Sequence, residues 1–349
     1  MNGDVVGMVL CAGLGTRLRP LTLRLPKPAA PVCGVALVRY AFALLAHAGA
    51  HRVVVNAHHL PELMADAATA SARALGLDLD VSREPVIAGT GGALREARRA
   101  LSGASAVVVV NGDILFDLDL AAALAAHRAS GALATMVLMP MPAGAHYAAV
   151  ETDALGAVRR IAGHFGPGGE GLTPWHFTGV HLLAPALLDC VPAEPFEVDV
   201  NRHVYPPLMA AGLVRGYVTG GYWNDLGTPA RYLAANEDVL AGRMPLGRLH
   251  GADPFAGLDL FGRPGLWMGA LAHVDPGVAL HAPVLVGAGA RLEAGATVGP
   301  FAVVGARARV AAGARVAHAV VWEGTALAPG EEVTRAVAAG ADRVPAGAT

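Results

Sequence analysis

The residues best suited to chemistry sit near the start of the chain. Residues 10–22 read Leu-Cys-Ala-Gly-Leu-Gly-Thr-Arg-Leu-Arg-Pro-Leu-Thr, and Pro26-Lys27-Pro28 follows. Glycines at the carboxyl end of a strand let the backbone approach a ligand, and successive N–H groups there can form a nest for phosphate. Arg17, Arg19, Arg24 and Lys27 crowd this stretch with no acid among them, so it is a candidate polyphosphate cradle. It is neither a Walker A loop nor a GxGxxG dinucleotide loop. Lys27 is the one lysine among the 26 Lys and Arg residues. A chain that uses arginine everywhere else asks at Lys27 for a compact ammonium rather than a planar fork.

Two carboxylates add to this. Asp113 follows the apolar run 107–110, and Asp225 follows the strand-like segment 214–219 in a Gly/Trp/Asn turn. Either one alone also reads as a turn or helix cap. Carboxylates arriving from different strand ends can hold one Mg²⁺, a hard ion that keeps waters and takes phosphate oxygens.

The elements that must position these groups alternate. Residues 5–11, 52–56, 77–82 and 106–110 are β-rich, several of them apolar on both faces, as strands of a covered sheet are. Segments 35–48, 60–75, 92–101 and 119–130 are Ala/Leu-rich and long enough for helices. The pattern predicts an α/β domain with a mostly parallel sheet over 1–240. Residues 241–270 lose the rhythm and read as a linker. From 271 to 338 an apolar residue returns every sixth position, from Val274 and Leu280 through Val310 and Val316 to Trp322. A partner lies two residues before each, from Ala272 to Val320. Hexads of this kind predict a short parallel β-helix of about three coils, with Gly289, Gly295, Gly313, Pro283 and Pro300 at its corners. Residues 339–349 read as a tail.

Composition narrows the classes. At 54% hydrophobic and 15% charged, the 349-residue chain has a sizeable core, and disorder is excluded. A net charge of −2 excludes a polybasic nucleic-acid or membrane-surface protein. Cys11, Cys33 and Cys190 are too sparse for a disulfide framework and read as reduced thiols. Residues 5–12 lack a signal peptide's basic flank and cleavage site, and no apolar run has transmembrane length. A cytoplasmic protein is expected.

The string LCAGLGTRLRPLT…PKP resembles the signature of the sugar-1-phosphate nucleotidyltransferases. VNGD at 110–113, FTGVHLL at 177–183, FEVDVNRHVYPPL at 196–208 and GYWNDLGTPARYLAAN at 221–236 continue the resemblance in order. It implies a Rossmann-like nucleotidyltransferase domain followed by a left-handed parallel β-helix. An NTP and a sugar-1-phosphate would be the substrates and Mg²⁺ the cofactor, held by Asp113 and Asp225. Catalysis would rest on Arg17 and Lys27. Leu10, Ala12, Gly13, Gly15, Thr16, Arg17, Glu84, Gly89, Thr90 and Gly112 would bind the nucleotide. Lys27, Gly179 and Glu197 would bind the sugar phosphate.

Glu84 offers only acceptors, which suits the adjacent N1–H and N2–H₂ of guanine. The overall layout, GYWNDLGTP followed by a short β-helix, most resembles mannose-1-phosphate guanylyltransferases, and that resemblance implies GTP and mannose-1-phosphate as the expected pair. A thymidylyl- or uridylyltransferase for glucose or amino-sugar phosphates is the alternative, and a non-catalytic subunit that binds nucleotide sugars is another. In place of the family's lysine motif before the FTG strand stands Arg160-Ile161-Ala162-Gly163-His164-Phe165-Gly166, so sugar contacts there differ. His58 and His59 read as structural. His281 and His318 raise acyltransfer, but a short β-helix without a long loop fits assembly of a homo-oligomer better.

Overall fold

The computed structural model describes residues 4–142, 144 and 147–347. By its contacts the chain falls into two units. One takes the chain up to Leu14, Val38–Trp223 and Arg248–Gly251; the other takes Gly15–Leu37, Asn224–Gly247 and the chain from Ala252 onward. The cationic loop therefore belongs with the C-terminal strands, a division invisible in a boundary at 240.

The first unit is built on one sheet. Strand Val5–Leu10 runs parallel to Ala50–Ala57 on one side and Ala106–Asn111 on the other, and Asp78–Arg83 extends the parallel set. Val5–Val9 and Ala106–Val110 are buried throughout, which is why their sequences are apolar without alternation. The long strand Thr173–Leu183 then runs antiparallel to Ala106–Asn111. Ala134–Met139 is antiparallel to that strand, and Val214–Val218 is parallel to Ala134–Met139. Helices Leu37–His47, Pro61–Leu75 and Leu120–Ser130 occur close to the expected bounds. The helix expected over 92–101 instead spans Gly89–Glu96, because the Val198 carbonyl, distant in sequence, accepts from the Gly91 and Gly92 N–H groups and satisfies two of the donors a helix start leaves open.

The C-terminal strands stack in parallel ladders, an arrangement compatible with a β-helix. Leu266–Met268 lies over Val284–Val286 and that over Ala302–Val304, an 18-residue step. His273–Val274, Arg291–Leu292 and Arg309–Val310 form a second face with the same step. Ala279–Leu280, Thr297–Val298 and Arg315–Val316 form a third. The inward residues of the hexads, among them Val286, Leu292, Val298, Val304, Val310 and Val316, form one buried cluster. Gly289, Gly295 and Gly313 turn corners with positive φ.

Three expectations need correction. The stack begins within the supposed linker, at Leu266–Met268, and ends in strands Glu332–Ala339 and Asp342–Pro345, the second of which lies in the supposed tail. It is accordingly deeper than three coils. The hexad register also slips before Trp322. Ala302 pairs with Ala319 rather than Val320, a 17-residue step, so Ala319 and Val321 point inward. Val320 and Trp322, read as inward, remain buried on the outer side, and the Trp322 indole bonds to Tyr232 of helix Pro229–Leu240. A second packing surface thus overrides the repeat.

Leu292 is fully buried in the stack. Leu292→Ala should cost about 2–5 kcal/mol of stability, read from urea unfolding of the full chain.

Candidate active site

In the first unit the strand ends are tied together by side chains as well as ladders. The Cys11 N–H donates to Asn56 Oδ1 at 2.7 Å, and Asn56 Nδ2 donates to Glu84 Oε1 at 2.8 Å. The Ala88 N–H donates to Glu84 Oε2 at 3.0 Å. Glu84 is only 5% exposed. Both carboxylate oxygens of Glu84, expected at the guanine, are engaged inside the protein, where they fix the turn 84–88. His58 Nδ1 contacts the Glu84 carbonyl at 2.8 Å, the structural part expected of it. Asn56, which the sequence reading passed over, was detectable as one polar residue closing an apolar strand.

Leu10 and Gly112, expected nucleotide contacts, bond to each other: the Gly112 N–H donates to the Leu10 carbonyl at 2.9 Å. The Gly112 N–H is thereby taken from any ligand. Beyond it Asp113 is half-buried at the end of strand Ala106–Asn111. Burial, with the Asp113 charge second, pushes the Cys11 thiol upward, so Cys11 is an inert core thiol.

The glycines of 89–92 serve close approach between backbones. Gly91 and Gly92 N–H donate to the Val198 carbonyl at 2.7 and 3.2 Å, and the Val198 N–H donates to the Ala88 carbonyl at 2.8 Å. The Val200 N–H donates to Thr90 Oγ1 at 3.0 Å. A Cβ on Gly89 would lie 2.6 Å from the Val198 oxygen. Gly89 and Thr90, expected along the base, thus dock the FEVDVN segment. Arg95 completes the joint: Nη1 donates to the Pro192 and Ala193 carbonyls and Nη2 to that of Phe196. Gly179 has a similar task, since its Cβ would meet the Asn111 side-chain amide at 2.8 Å. It brings the FTG and VNGD motifs into contact.

Glu197, carried by that docked segment, faces a cavity of about 450 Å³ with Phe165, Phe177, Asn201 and Arg202 among its lining residues. Asn201 Oδ1 is buried there without a hydrogen-bond partner, a polar atom suited to a ligand hydroxyl. The departure at 160–166 has a structural reason. Arg160 binds Glu151 through Nε and Nη2, and this pairing holds the Glu151 carboxyl below its usual range against the opposing effect of burial. Phe165 turns to the cavity wall, with the Arg202 guanidinium over its ring at 5.7 Å.

The second unit holds the cations. Gly13 lies outside it, exposed, with open space where a Cβ would be. Gly15, Thr16 and Arg17 begin it. Gly15 adopts φ +59, and its Cβ would strike Thr22, whose hydroxyl donates to the Gly15 carbonyl at 2.9 Å. Thr16 and Arg17 are exposed, and the Arg17 guanidinium lies over Gly227. Arg24 is corrected: it pairs with Asp342 at 2.5 Å and packs on Gly340, so it fastens the C-terminal hairpin rather than joining a cradle.

Lys27 is 6% exposed, and its Nζ donates to the Asp225 carbonyl at 2.8 Å. The Asp225 side chain accepts from Arg231 at 2.6 Å and from the Gly227 N–H at 3.2 Å. Burial alone would raise this carboxyl, but the Arg231 hydrogen bond and charge, the Gly227 N–H and Lys27 together hold it below its usual range. It is ionised at neutral pH, as a metal ligand must be. Among the described residues no cluster of three or more His, Cys, Asp or Glu side chains is placed to hold a metal. Of the repeat histidines, His281 is exposed and His318 bonds to Glu237 at 2.9 Å.

Residues 6–242, which contain the glycine-rich loop, Lys27 and both aspartates, match the nucleotidyl transferase family model. The chain belongs to the nucleotidyl transferase family. This nucleotidyl transferase is similar to the mannose-1-phosphate guanylyltransferase of Mycobacterium tuberculosis, with 31% identity over 81% of this chain and 80% of that protein. It is 28% identical to the mannose-1-phosphate guanylyltransferase catalytic subunit beta of Dictyostelium discoideum over 65% of this chain. That match spans 62% of the relative, less than two thirds of its length. A UTP–glucose-1-phosphate uridylyltransferase of Synechocystis is 27% identical over 93% of this chain and 84% of its own. No helix among the described residues of this nucleotidyl transferase is long and apolar enough to cross a membrane.

Two outcomes test the geometry. A Cβ on Gly91 would lie 2.6 Å from Val198 Cγ1, so Gly91→Ala should cost about 1–3 kcal/mol in urea unfolding, whereas Gly13→Ala should not change stability. Folding lowers the Asp225 pKa, so the stability it contributes is complete above the ordinary carboxylate range and is lost as pH falls through the depressed value. Arg231→Met should therefore be less stable than wild type at pH 7, and the difference should begin to close below about pH 4 and vanish below the depressed value, followed by thermal unfolding at a series of pH values.

Proposed function

We propose that the chain transfers a guanylyl group from GTP to mannose-1-phosphate, giving GDP-mannose and pyrophosphate. The observation that carries the transfer chemistry is Lys27, the sole lysine, withdrawn from solvent and held at Asp225. With Glu84 occupied inside the protein, the choice of base and sugar is supported by the names of the relatives from M. tuberculosis and D. discoideum. Uridylyl transfer to glucose-1-phosphate is the second reading, favoured by the Synechocystis relative, whose match covers 93% of the chain.

The reaction needs no general base. A sugar-phosphate oxygen is already anionic and attacks the α-phosphorus in line as pyrophosphate leaves. The obstacle is bringing two polyanions together, so charge neutralisation and alignment supply the acceleration. In this reading the Gly13–Thr16 backbone and Arg17 take the departing β- and γ-phosphates. Lys27 bridges the α-phosphate and the incoming sugar phosphate, while Glu197 and Asn201 hold sugar hydroxyls in their cavity. Asp113 and Asp225 are the carboxylates to hold Mg²⁺, whose chemistry when bound is to neutralise and orient phosphate oxygens. An ionised Asp225 fits that role in donor type. The C-terminal ladders are read as a left-handed β-helix that aids assembly of a homo-oligomer, and the protein as cytoplasmic.

The test is pyrophosphate release with Mg²⁺ from five nucleoside triphosphates, each with mannose-, glucose- and N-acetylglucosamine-1-phosphate. GTP with mannose-1-phosphate should be the productive pair; UTP with glucose-1-phosphate in its place would establish the second reading. Lys27→Ala should lower kcat by about 100-fold or more with the circular dichroism spectrum unchanged, and a near-normal rate would end this scheme.

A further inference from the structure

Lys27 is followed at once by a hairpin, Pro31–Val32 paired with Val35–Ala36, that turns through Cys33 and Gly34, both at positive φ. So small a hairpin cannot hold its own position, and helix Pro229–Leu240 holds it. The Cys33 N–H donates to Asn236 Oδ1 at 2.7 Å, and the Tyr232 hydroxyl donates to the Pro31 carbonyl. Asn236 Nδ2 in turn donates to the Tyr232 carbonyl at 2.9 Å. The Tyr232 hydroxyl oxygen, which donates to Pro31, also accepts from the Trp322 indole N–H at 2.9 Å. Tyr232 is fully buried, and burial pushes its phenol pKa upward, so its proton stays available for Pro31.

Trp322 reaches Tyr232 only because the repeat drops one residue before it. Had the 18-residue step continued, the register would turn Trp322 inward. The slip places it outside, where its N–H orients the phenol. The His318 ring, at positive φ in that corner, bonds to Glu237 of the same helix and stacks on Phe301.

We propose that Trp322 is a positioning residue for nucleotidyl transfer: through Tyr232 and the Pro31 carbonyl, the C-terminal stack sets the place of the Lys27 ammonium. This rests on Lys27 acting at the phosphates, as argued above. The C-terminal strands then take part in the chemistry at one remove, rather than serving assembly alone. Loss of the indole N–H leaves the substrates' other contacts intact, so it acts on turnover and not on binding.

Trp322→Phe keeps an aromatic ring and removes the N–H; Tyr232→Phe removes both of its hydrogen bonds. In the full-length enzyme, with rates expressed per folded molecule, each should lower kcat by about threefold to tenfold with both KM values unchanged. The double variant should match Tyr232→Phe alone, because the two residues act in series. A lowered melting temperature with wild-type kcat would reduce Trp322 to a packing role and overturn the proposal, as would strictly additive losses. If Tyr232→Phe does not fold, the kcat of Trp322→Phe decides by itself. Lys27→Ala in the same assay separates the two ideas. An active Lys27→Ala enzyme refutes the role of the lysine; an inactive one beside an unimpaired Trp322→Phe refutes only the link from Trp322.

Discussion

A buried ammonium must be met by acceptors, and the second unit is organised around that requirement. Lys27 lies out of solvent because the Asp225 carbonyl receives it, while Arg231 and the Gly227 N–H compensate the Asp225 carboxylate. Leaving such a charge without partners would cost several kcal/mol (about 3–5 when one member of a buried pair is removed). Helix Pro229–Leu240 begins beside Asp225, with Thr228 accepting from the Arg231 N–H as its cap. It continues to Tyr232 and Asn236, which grip the hairpin that follows Lys27. One helix thus holds both the lysine's loop and the lysine's acceptor.

In the first unit the organising device is the absence of side chains. Gly89, Gly91 and Gly92 let one backbone lie directly on Val198, and Gly179 lets the Asn111 amide close on its strand. The hydrogen bonds formed there consume donors that a reader of motifs would assign to a ligand. Glu84 and Gly112 show the same economy, since each bonds within the protein. These residues fix how the strand ends and loops of this unit meet. Family motifs preserve geometry as well as contacts, and a string of letters does not separate the two.

Much of the architecture was legible. Apolar runs without alternation mark the parallel strands around Val5–Leu10, and the hexad period marks the stacked C-terminal strands, whose inward aliphatics form one buried cluster. The placement of Lys27 between two prolines, and its singularity, set it apart in the sequence. What escaped was long-range: the Asn56–Glu84 link, the Val198 carbonyl that starts helix Gly89–Glu96, the Arg24–Asp342 pair and the slip at Trp322. Each joins residues far apart in the chain, and no local period encodes such a partner.

The sequence by itself determined the family, the α/β strands and helices, and the hexad spacing of the C-terminal strands. Those follow from local chemistry: side-chain type, spacing, and the burial that an apolar period demands. Only the tertiary structure decided which polar groups remain available. A hydrogen-bond donor or a carboxylate can be spent on the protein or kept for a ligand, and that depends on what the fold brings within about 3 Å. Glu84 and Arg24 were spent, while Thr16 and Arg17 remained exposed.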